Sequence, residues 1–572
     1  MDGGVLKRSV RKQIYLGGLV AGLAATASAL GAPAKEPSEA LFAADRLIEV
    51  RITMAPEDWE KLRHEHHDLL AVLGPERLER PEPKPYRTYR AEVAIDGAVL
   101  KEVGVRKRGF LGSSSFHRPS LGLRFNEFDK AGRFAGLRRM SLNNNLQDAS
   151  QIHQALAYRV FALAGVPAPR CNFAVVSVNG KSLGLYSHVE AVEDEFLERH
   201  FRDQSGNLYE GRLSDFRVDW LQTFERKNHK TKPGREDLAA VARALEARDA
   251  ELLTRLGPVL DLDAYLTFWA VESLIGHWDS YSNNGNNFFV YRAPATGKFQ
   301  FIPWGADSAF GDRDPFTPVK TPDSVKARSL LPYRLYQLPE TRERYRERLR
   351  AVLKTAWNER ELLAEVDRWE KLLKPRLEAS ARQFQGGLAK VRQFIRDRRA
   401  VLEKELAGAA PAWPLPPRNS ICLKKAGAFA AEFSTTWLRE SRNGEVVRPT
   451  ARFSLDMDGE KFEAPRAGII TAPSREPRNA GSAAITLLGF GGRGLGAQVP
   501  ILVVEKEYFR PGRKLAVDGY EVFGLLLGGR LADFNIKSPT LLFGEMELEE
   551  AGFEPGDKVT GRVKADIYRM PR

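Results

Sequence analysis

Cysteine is nearly absent: 572 residues contain only Cys171 and Cys422. That excludes a disulfide-stapled scaffold and a multi-thiolate zinc site. One bridge between the two is left open by the sequence, and both read best as buried small hydrophobes. Histidine is sparse too, nine in all, and its one cluster, His64, His66 and His67, has no Cys or carboxylate at ligand spacing. It reads as the solvated face of a helix. No basic run interleaved with aromatics stands out, so nucleic acid is not expected as a partner. No long internal repeat is visible, which argues against a solenoid. Beyond the N-terminus no apolar run is long enough to span a bilayer.

What is present is a chain of ordinary soluble composition, 43% hydrophobic and 28% charged, too long for one core. The formal charge is +13, of which Lys7, Arg8, Arg11 and Lys12 against Asp2 supply a net +3. The remaining +10 favours anionic partners. Residues 1–34 read as an export signal: a basic start (KRSVRK), an apolar stretch, and small-residue sites at Ala27-Ser28-Ala29 and Ala32-Pro33-Ala34. An uncleaved anchor is the alternative. No Cys follows the stretch, which argues against a lipid anchor. The expected location is secreted, periplasmic or in the cell envelope, with no transmembrane segment after cleavage.

The periodicities predict strands at Leu47 to Thr53, at YRAEVAID, VGVRKRG and LGLRF, with hairpins at Asp96-Gly97 and Asn179-Gly180. Helices are expected from Pro56 to about His67, from Ala149 to Ala164 with Asp148 as cap, from Asp261 to Ile275, and through Pro339 to Leu406. Pro411 to Arg418, PAWPLPPR, reads as a Pro-rich linker. Beyond it, short apolar runs between Gly and Pro turns predict an all-β part, a sandwich or barrel. GFGGRG (Gly489 to Gly494) has the spacing of a phosphate loop, but strand-like residues follow it, so a hairpin turn is the reading.

The segment from His277 to Gly311 carries the chemistry. Asp279 lies just past the expected helix, and His277-Trp278-Asp279 with Asn284 repeats the H-x-D-x-x-x-x-N spacing of a protein-kinase catalytic loop. An Asp there can orient an attacking hydroxyl, while Asn and a second Asp hold the magnesium that neutralises phosphates. Asp307 stands where that second Asp belongs.

The blocks LIEVRITMAPEDWEKLR, YRAEVAIDG, VGVRKRG, SLNNNLQDASQIHQALAYRVFALAGVPAPR, VSVNGKSLGLYSHVEAVEDEFL, GNLYEG and FIPWGADSAFG, in that order, carry a further signal. From about Leu47 to Leu406 the chain resembles the CotH (spore coat protein H) family of atypical secreted protein kinases. The resemblance implies an α+β, two-lobe kinase-like domain over residues 45–408, a linker over 409–418 and a β-rich accessory domain over 419–572. It implies ATP with Mg²⁺ or Mn²⁺, and Ser or Thr of a secreted or envelope protein as acceptor. Asp279 is then the catalytic candidate, and Asp307 with Asn284 or Asn287 the metal candidates. Two departures stand out. The family's P-W-D-x-D reads Pro303-Trp304-Gly305-Ala306-Asp307, and a basic position reads Gly122. Arg108, Arg118 and Arg124 remain as phosphate cations, with Glu190 as their expected partner, and the RGFLGSSS turn (Arg108 to Ser115) is either an amide cradle or a solvated turn. The alternative to a kinase is a catalytically weak pseudokinase serving as a spore-coat, envelope or adhesion binding protein.

Overall fold

The computed structural model describes residues 37–231, 234–311, 314, 319–377, 381–420, 422–439, 449–474, 481–490, 496–529 and 540–569. The N-terminal stretch read as an export signal lies outside the described residues.

The first architecture is a closed barrel of β1 (Leu47–Thr53), β2 (Tyr89–Ile95), β3 (Ala98–Arg108), β4 (Ser120–Arg124), β5 (Arg139–Asn143), β6 (Cys171–Val178) and β7 (Lys181–Val189), in the order β1-β2-β3-β4-β5-β7-β6. In β1 the residues alternate, so Ile48, Val50 and Ile52 enter the core while Glu49, Arg51 and Thr53 face out. The sequence predicts antiparallel hairpins, and these are found at β2–β3 and β6–β7. Closure comes from a parallel pairing of β1 with β6, Leu47 opposite Phe173 through Ile52 opposite Val178. That contact joins segments over a hundred residues apart, so no local pattern announces it.

Helix α1 (Pro56–His64) ends three residues before the predicted His67. Glu65 turns extended there, and the carbonyls of Arg63 and Glu65 accept from the buried Lys107 ammonium at 2.7 and 2.6 Å. The short α2 (Leu69–Leu73) follows, capped by Asp68. Helix α3 (His153–Leu163) starts four residues later than predicted. Asp148 still serves it, since its carboxylate accepts from Ser150 N and His153 N, both at 2.7 Å.

The second architecture is a sheet of β8 (Leu208–Gly211), β9 (Phe224–Arg226), β10 (Phe288–Arg292) and β11 (Phe299–Pro303), ordered β11-β10-β8-β9. Helices α4 (Asp194–Phe201), α5 (Glu236–Leu245), α6 (Asp249–Leu256), α7 (Leu262–Leu274), α8 (Tyr281–Asn284), α9 (Leu330–Gln337), α10 (Pro339–Thr355), α11 (Glu359–Leu373) and α12 (Ala381–Ala407) accompany it. The run FFVY in β10 is buried on both faces. Phe288 and Val290 join the main helical core, and Phe289 and Tyr291 pack with α4 residues Phe196 and Leu197. Helix α7 begins where Asp261 accepts from Ala264 N, and it is buried nearly all round, with Trp269 stacked on Tyr345 at 3.9 Å.

Pro411 to Arg418 links α12 to the next strand, but it is no free tether. Trp413 is buried in the helical core, Pro411 O accepts from Tyr336, and Arg418 N donates to Arg328 O at 2.6 Å.

The third architecture comprises β12 (Lys424–Thr436), β13 (Thr450–Met457), β14 (Glu460–Ala464), β15 (Gly468–Pro473), β16 (Ala483–Phe490), β17 (Ala497–Val504), β18 (Arg513–Val517), β19 (Val522–Gly529), β20 (Thr540–Glu550) and β21 (Lys558–Arg569). They form one ten-stranded sheet, curled so that β15 meets β12 and β13 over a shared core. Most of GFGGRG lies outside the described residues. Its Phe490 and, beyond it, Ala497 are opposite one another in an antiparallel pair.

The curled sheet docks on the barrel side. Leu541 and Phe543 pack with Val72 and Leu73 of α2, and Leu423 N donates to Leu73 O at 2.6 Å. The histidines read as a solvated helix face lie at this junction instead. His66 Nε2 is 3.1 Å from Asp518, His64 Nε2 3.4 Å from Glu507, and His117 Nε2 2.7 Å from Glu505. His67 is buried against Glu82, and its Nε2 donates to Gly109 O at 3.2 Å. Both cysteines are free thiols, Cys171 half-buried and Cys422 buried.

Candidate active site

A cleft of about 740 Å³ lies between the outer face of the barrel at β3–β5 and the β8–β10 sheet. Among the described residues, twelve Arg and Lys side chains line it against four Glu. Some cations are matched locally: Glu210 accepts from Lys227 at 2.7 Å, Glu225 is 3.1 Å from Arg212, and Arg139 pairs with Glu193. Burial works against the Glu210 charge, yet Lys227 and Arg212 hold its pKa down to about 2. The surplus is positive, so the cleft suits a polyanion.

The end of α7 delivers Asp279 to one wall. The single turn α8 and the chain after it fold back so that three Asn amides converge on its carboxylate. Asn284 and Asn286 donate to Oδ1, the latter at 3.2 Å, and Asn286 and Asn287 donate to Oδ2 at 3.2 and 2.9 Å. Four contacts fill a carboxylate's acceptor positions. Burial pushes the Asp279 pKa up to about 6 against those hydrogen bonds. Arg418, from the Pro-rich segment, lies within electrostatic reach on the other side. Beneath, Glu272 of α7 accepts from Tyr281 N at 3.1 Å and Ser282 N at 3.0 Å, and Asp215 accepts from Tyr281 Oη at 3.1 Å. Asn286 and Asn287 face the cleft, so Asp279 stands one layer behind it.

The predicted site residues divide. Asp279, Asn284 and Asn287 come together. Asp307 lies in the turn after β11, its backbone oxygen accepting from His153 at 2.7 Å, with its charge felt by Tyr158 of α3. Arg108 and Arg124 face the cleft, Arg108 with its guanidinium 5.6 Å from the Trp304 ring and Arg124 paired to Glu127 at 2.9 Å. Arg118 does not. It donates to Leu185 O and lies 5.2 Å from the Tyr186 ring, fastening a loop to the barrel. Glu190 is likewise spent elsewhere, buried between Arg170 at 2.7 Å and Arg199. The RGFLGSSS segment forms a turn closed on itself, Phe110 N donating to Ser113 Oγ and Ser113 N to Phe110 O, both at 3.1 Å.

Sequence reading missed Asn286, Arg106 and Arg139. Arg106 was within reach, since it sits two residues before Arg108 on one strand and so shares its face. Arg139 required the β4–β5 register.

A divalent cation needs oxygen ligands. Asn284 Oδ1 is buried without a hydrogen-bond partner, beside the Asp279 carboxylate. That pair fits one side of such a site. Gly305 adds nothing: its φ is +50°, and a Cβ there would stand 2.4 Å from Asn287 Oδ1. Among the described residues no group of three or more His, Cys, Asp or Glu is placed to hold a metal.

Solved structures overlap the chain loosely. A crystal structure of the Helicobacter pylori proinflammatory kinase CtkA matches 50% of this chain and 94% of its own, at 10% identity and a TM-score of 0.29. The Shewanella oneidensis MR-1 toxin–antitoxin complex of HipA, HipB and operator DNA matches at 12% identity, 47% and 60% coverage, and a TM-score of 0.27. The inner spore coat protein H of Bacillus subtilis (strain 168) is 25% identical over 236 residues, 39% of this chain. The chain spans 64% of that relative's length. The model of the CotH kinase protein family matches residues 105–402, more than half of the chain, and the chain belongs to that family.

Proposed function

We propose that this chain is an ATP-dependent phosphotransferase of the protein-kinase kind, acting on Ser or Thr of secreted or envelope proteins. The observation that carries the reading is the cationic cleft walled by the amides that hold Asp279. The barrel is then the smaller lobe and the helical part the larger, with the polyphosphate between them. A magnesium or manganese ion held by Asp307 with Asn284 or Asn287 would neutralise phosphate charge. Asp279 orients the acceptor hydroxyl and takes its proton at Oδ2 once Asn287 or Asn286 gives up that position. The basic face of β3–β5 positions the phosphates, and Trp304 with Arg108 closes the cleft floor. The spore-coat relative and the basic-then-apolar N-terminus support an envelope location.

The test is phosphate transfer from γ-labelled ATP to proteins of the native envelope. Asp279→Asn is expected to abolish transfer while ATP affinity, by isothermal titration, stays within about threefold of wild type. Equal loss of both assigns Asp279 to binding.

A second reading, a pseudokinase that presents this fold as an envelope or adhesion binding surface, is favoured by two observations. Gly305 removes one carboxylate, and the Asp279 acceptor positions are filled by amides. Nucleotide binding without transfer to any hydroxyl selects it.

A further inference from the structure

Two buried carboxylates beneath the active loop have no part in the chemistry above. Glu272 of α7 and Asp215, in the segment after β8, are 1% and 2% exposed. Helix α8 is a single turn of four residues, so its first amides have no carbonyl within the helix to bond. Glu272 accepts them with both oxygens, Tyr281 N on Oε1 at 3.1 Å and Ser282 N on Oε2 at 3.0 Å. The chain doubles back over the same residue, His277 N donating to Glu272 O at 3.0 Å. Asp215 takes the other side of the turn. Its Oδ1 accepts from Tyr281 Oη at 3.1 Å and its Oδ2 from Leu330 N at 2.7 Å.

The far end of the turn is held by the neighbours of Asp215. Ser214 N donates to Gly285 O at 2.6 Å. Leu213 N donates to Asn286 Oδ1 at 3.2 Å, which fixes the Asn286 Nδ2 on the side of Asp279, where it donates to both carboxylate oxygens at 3.2 Å.

A carboxylate suits the place under α8 because both of its oxygens accept. The isosteric Gln would turn an NH2 toward one of the two N–H donors. The choice is costly: among the described residues no cation hydrogen-bonds Glu272, and the buried Lys326 only feels its charge. Burial pushes the Glu272 pKa up to about 7. A core position with no other duty would be more stable as Gln, so a buried charge kept under the active loop marks a functional demand.

We propose that Glu272 and Asp215 are positioning residues, holding the α8 turn from beneath so that Asn284, Asn286 and Asn287 stay on the Asp279 carboxylate. The inference rests on the kinase reading for the reaction it serves.

Glu272→Gln in the full chain is the test, run at pH 8, where loss of a buried charge does not weaken the fold. Turnover in transfer from γ-labelled ATP should fall about a hundredfold, while affinity for ATP with magnesium, by isothermal titration, stays within about threefold of wild type. Hydrogen exchange at the Tyr281 or Ser282 amide should quicken about tenfold or more, with protection in α7 unchanged. Tyr281→Phe removes the bond to Asp215 and should also slow turnover. The double variant should lose less than the product of the two, since both act on one turn. Turnover of Glu272→Gln within about threefold of wild type overturns the proposal, as does an equal loss of turnover and ATP affinity. Losses that simply multiply overturn the joint clamp. If wild type transfers phosphate to no acceptor, the kinase reading falls; quickened exchange in Glu272→Gln then still upholds the clamp on the turn, and unchanged exchange overturns it as well.

Discussion

Two residues under the active loop make it sensitive to substitution and to pH. Gly305→Asp looks like a repair of the family motif, but its Cβ must displace Asn287 from the Asp279 carboxylate. It should lower stability by about 1–3 kcal/mol in urea denaturation, and Asn287→Ser should recover part of that loss in the double variant. Fully additive losses would mean that the two side chains do not meet. Glu272 is the second. Burial raises its pKa to about 7, above the ordinary carboxylate value, so the native state binds its proton more tightly than the unfolded chain. Its favourable contribution is complete below about pH 4.5 and fades as pH rises through 7. Glu272→Gln should therefore match wild type near pH 4 and exceed it by up to about 3 kcal/mol at pH 8, read from denaturation midpoints across pH. The site itself was partly legible. Asp279 and Asn284 stand five apart because one helical turn separates them, and a local turn leaves a local pattern. Glu190 was misread for the opposite reason: a Glu before a helix looks the same whether its cation comes from the cleft or, as here, from Arg170 and Arg199 behind it.

Elements were most legible where burial is one-sided or complete. The strand β1 and the helix α7, expected from Asp261 to Ile275, were read from local composition and period alone. Ends were lost where a distant group intervenes, as Lys107 does beyond α1. The Pro-rich segment shows the same limit, because composition reveals an extended chain but not what it lies against. Trp413 fastens it to the helical core. Trp413→Ala should cost about 3 kcal/mol and open the 411–418 segment to trypsin at Arg418, a site the intact protein protects through Arg217 and Arg328. Rapid cleavage of wild type at Arg418 would contradict the packing.

Across the whole molecule, the curled sheet is joined to the barrel by an apolar patch and a titratable one. Asp518 raises the pKa of His66 against burial, and Glu505 raises that of His117. Lys107 and Arg63 act against them, and His64 is held low by burial and by Arg63. For the two raised groups the stabilisation is complete below about pH 6.5 and is lost as pH climbs through their folded values. Hydrogen exchange in α2 should thus quicken between pH 6 and 8 beyond the intrinsic rate, and His66→Gln with His117→Gln should flatten that dependence. The match to the family model, meanwhile, starts at residue 105, inside β3. Closure of the barrel needs β1 and β2, which lie earlier. Cut at 105, the remaining strands would leave β6 without its parallel partner and β3 without its hairpin, two open edges of the kind that recruit strands from other chains. The stretch that the family model matches is shorter than the stretch that closes the barrel, and the smallest self-sufficient piece of this protein has to begin ahead of Leu47.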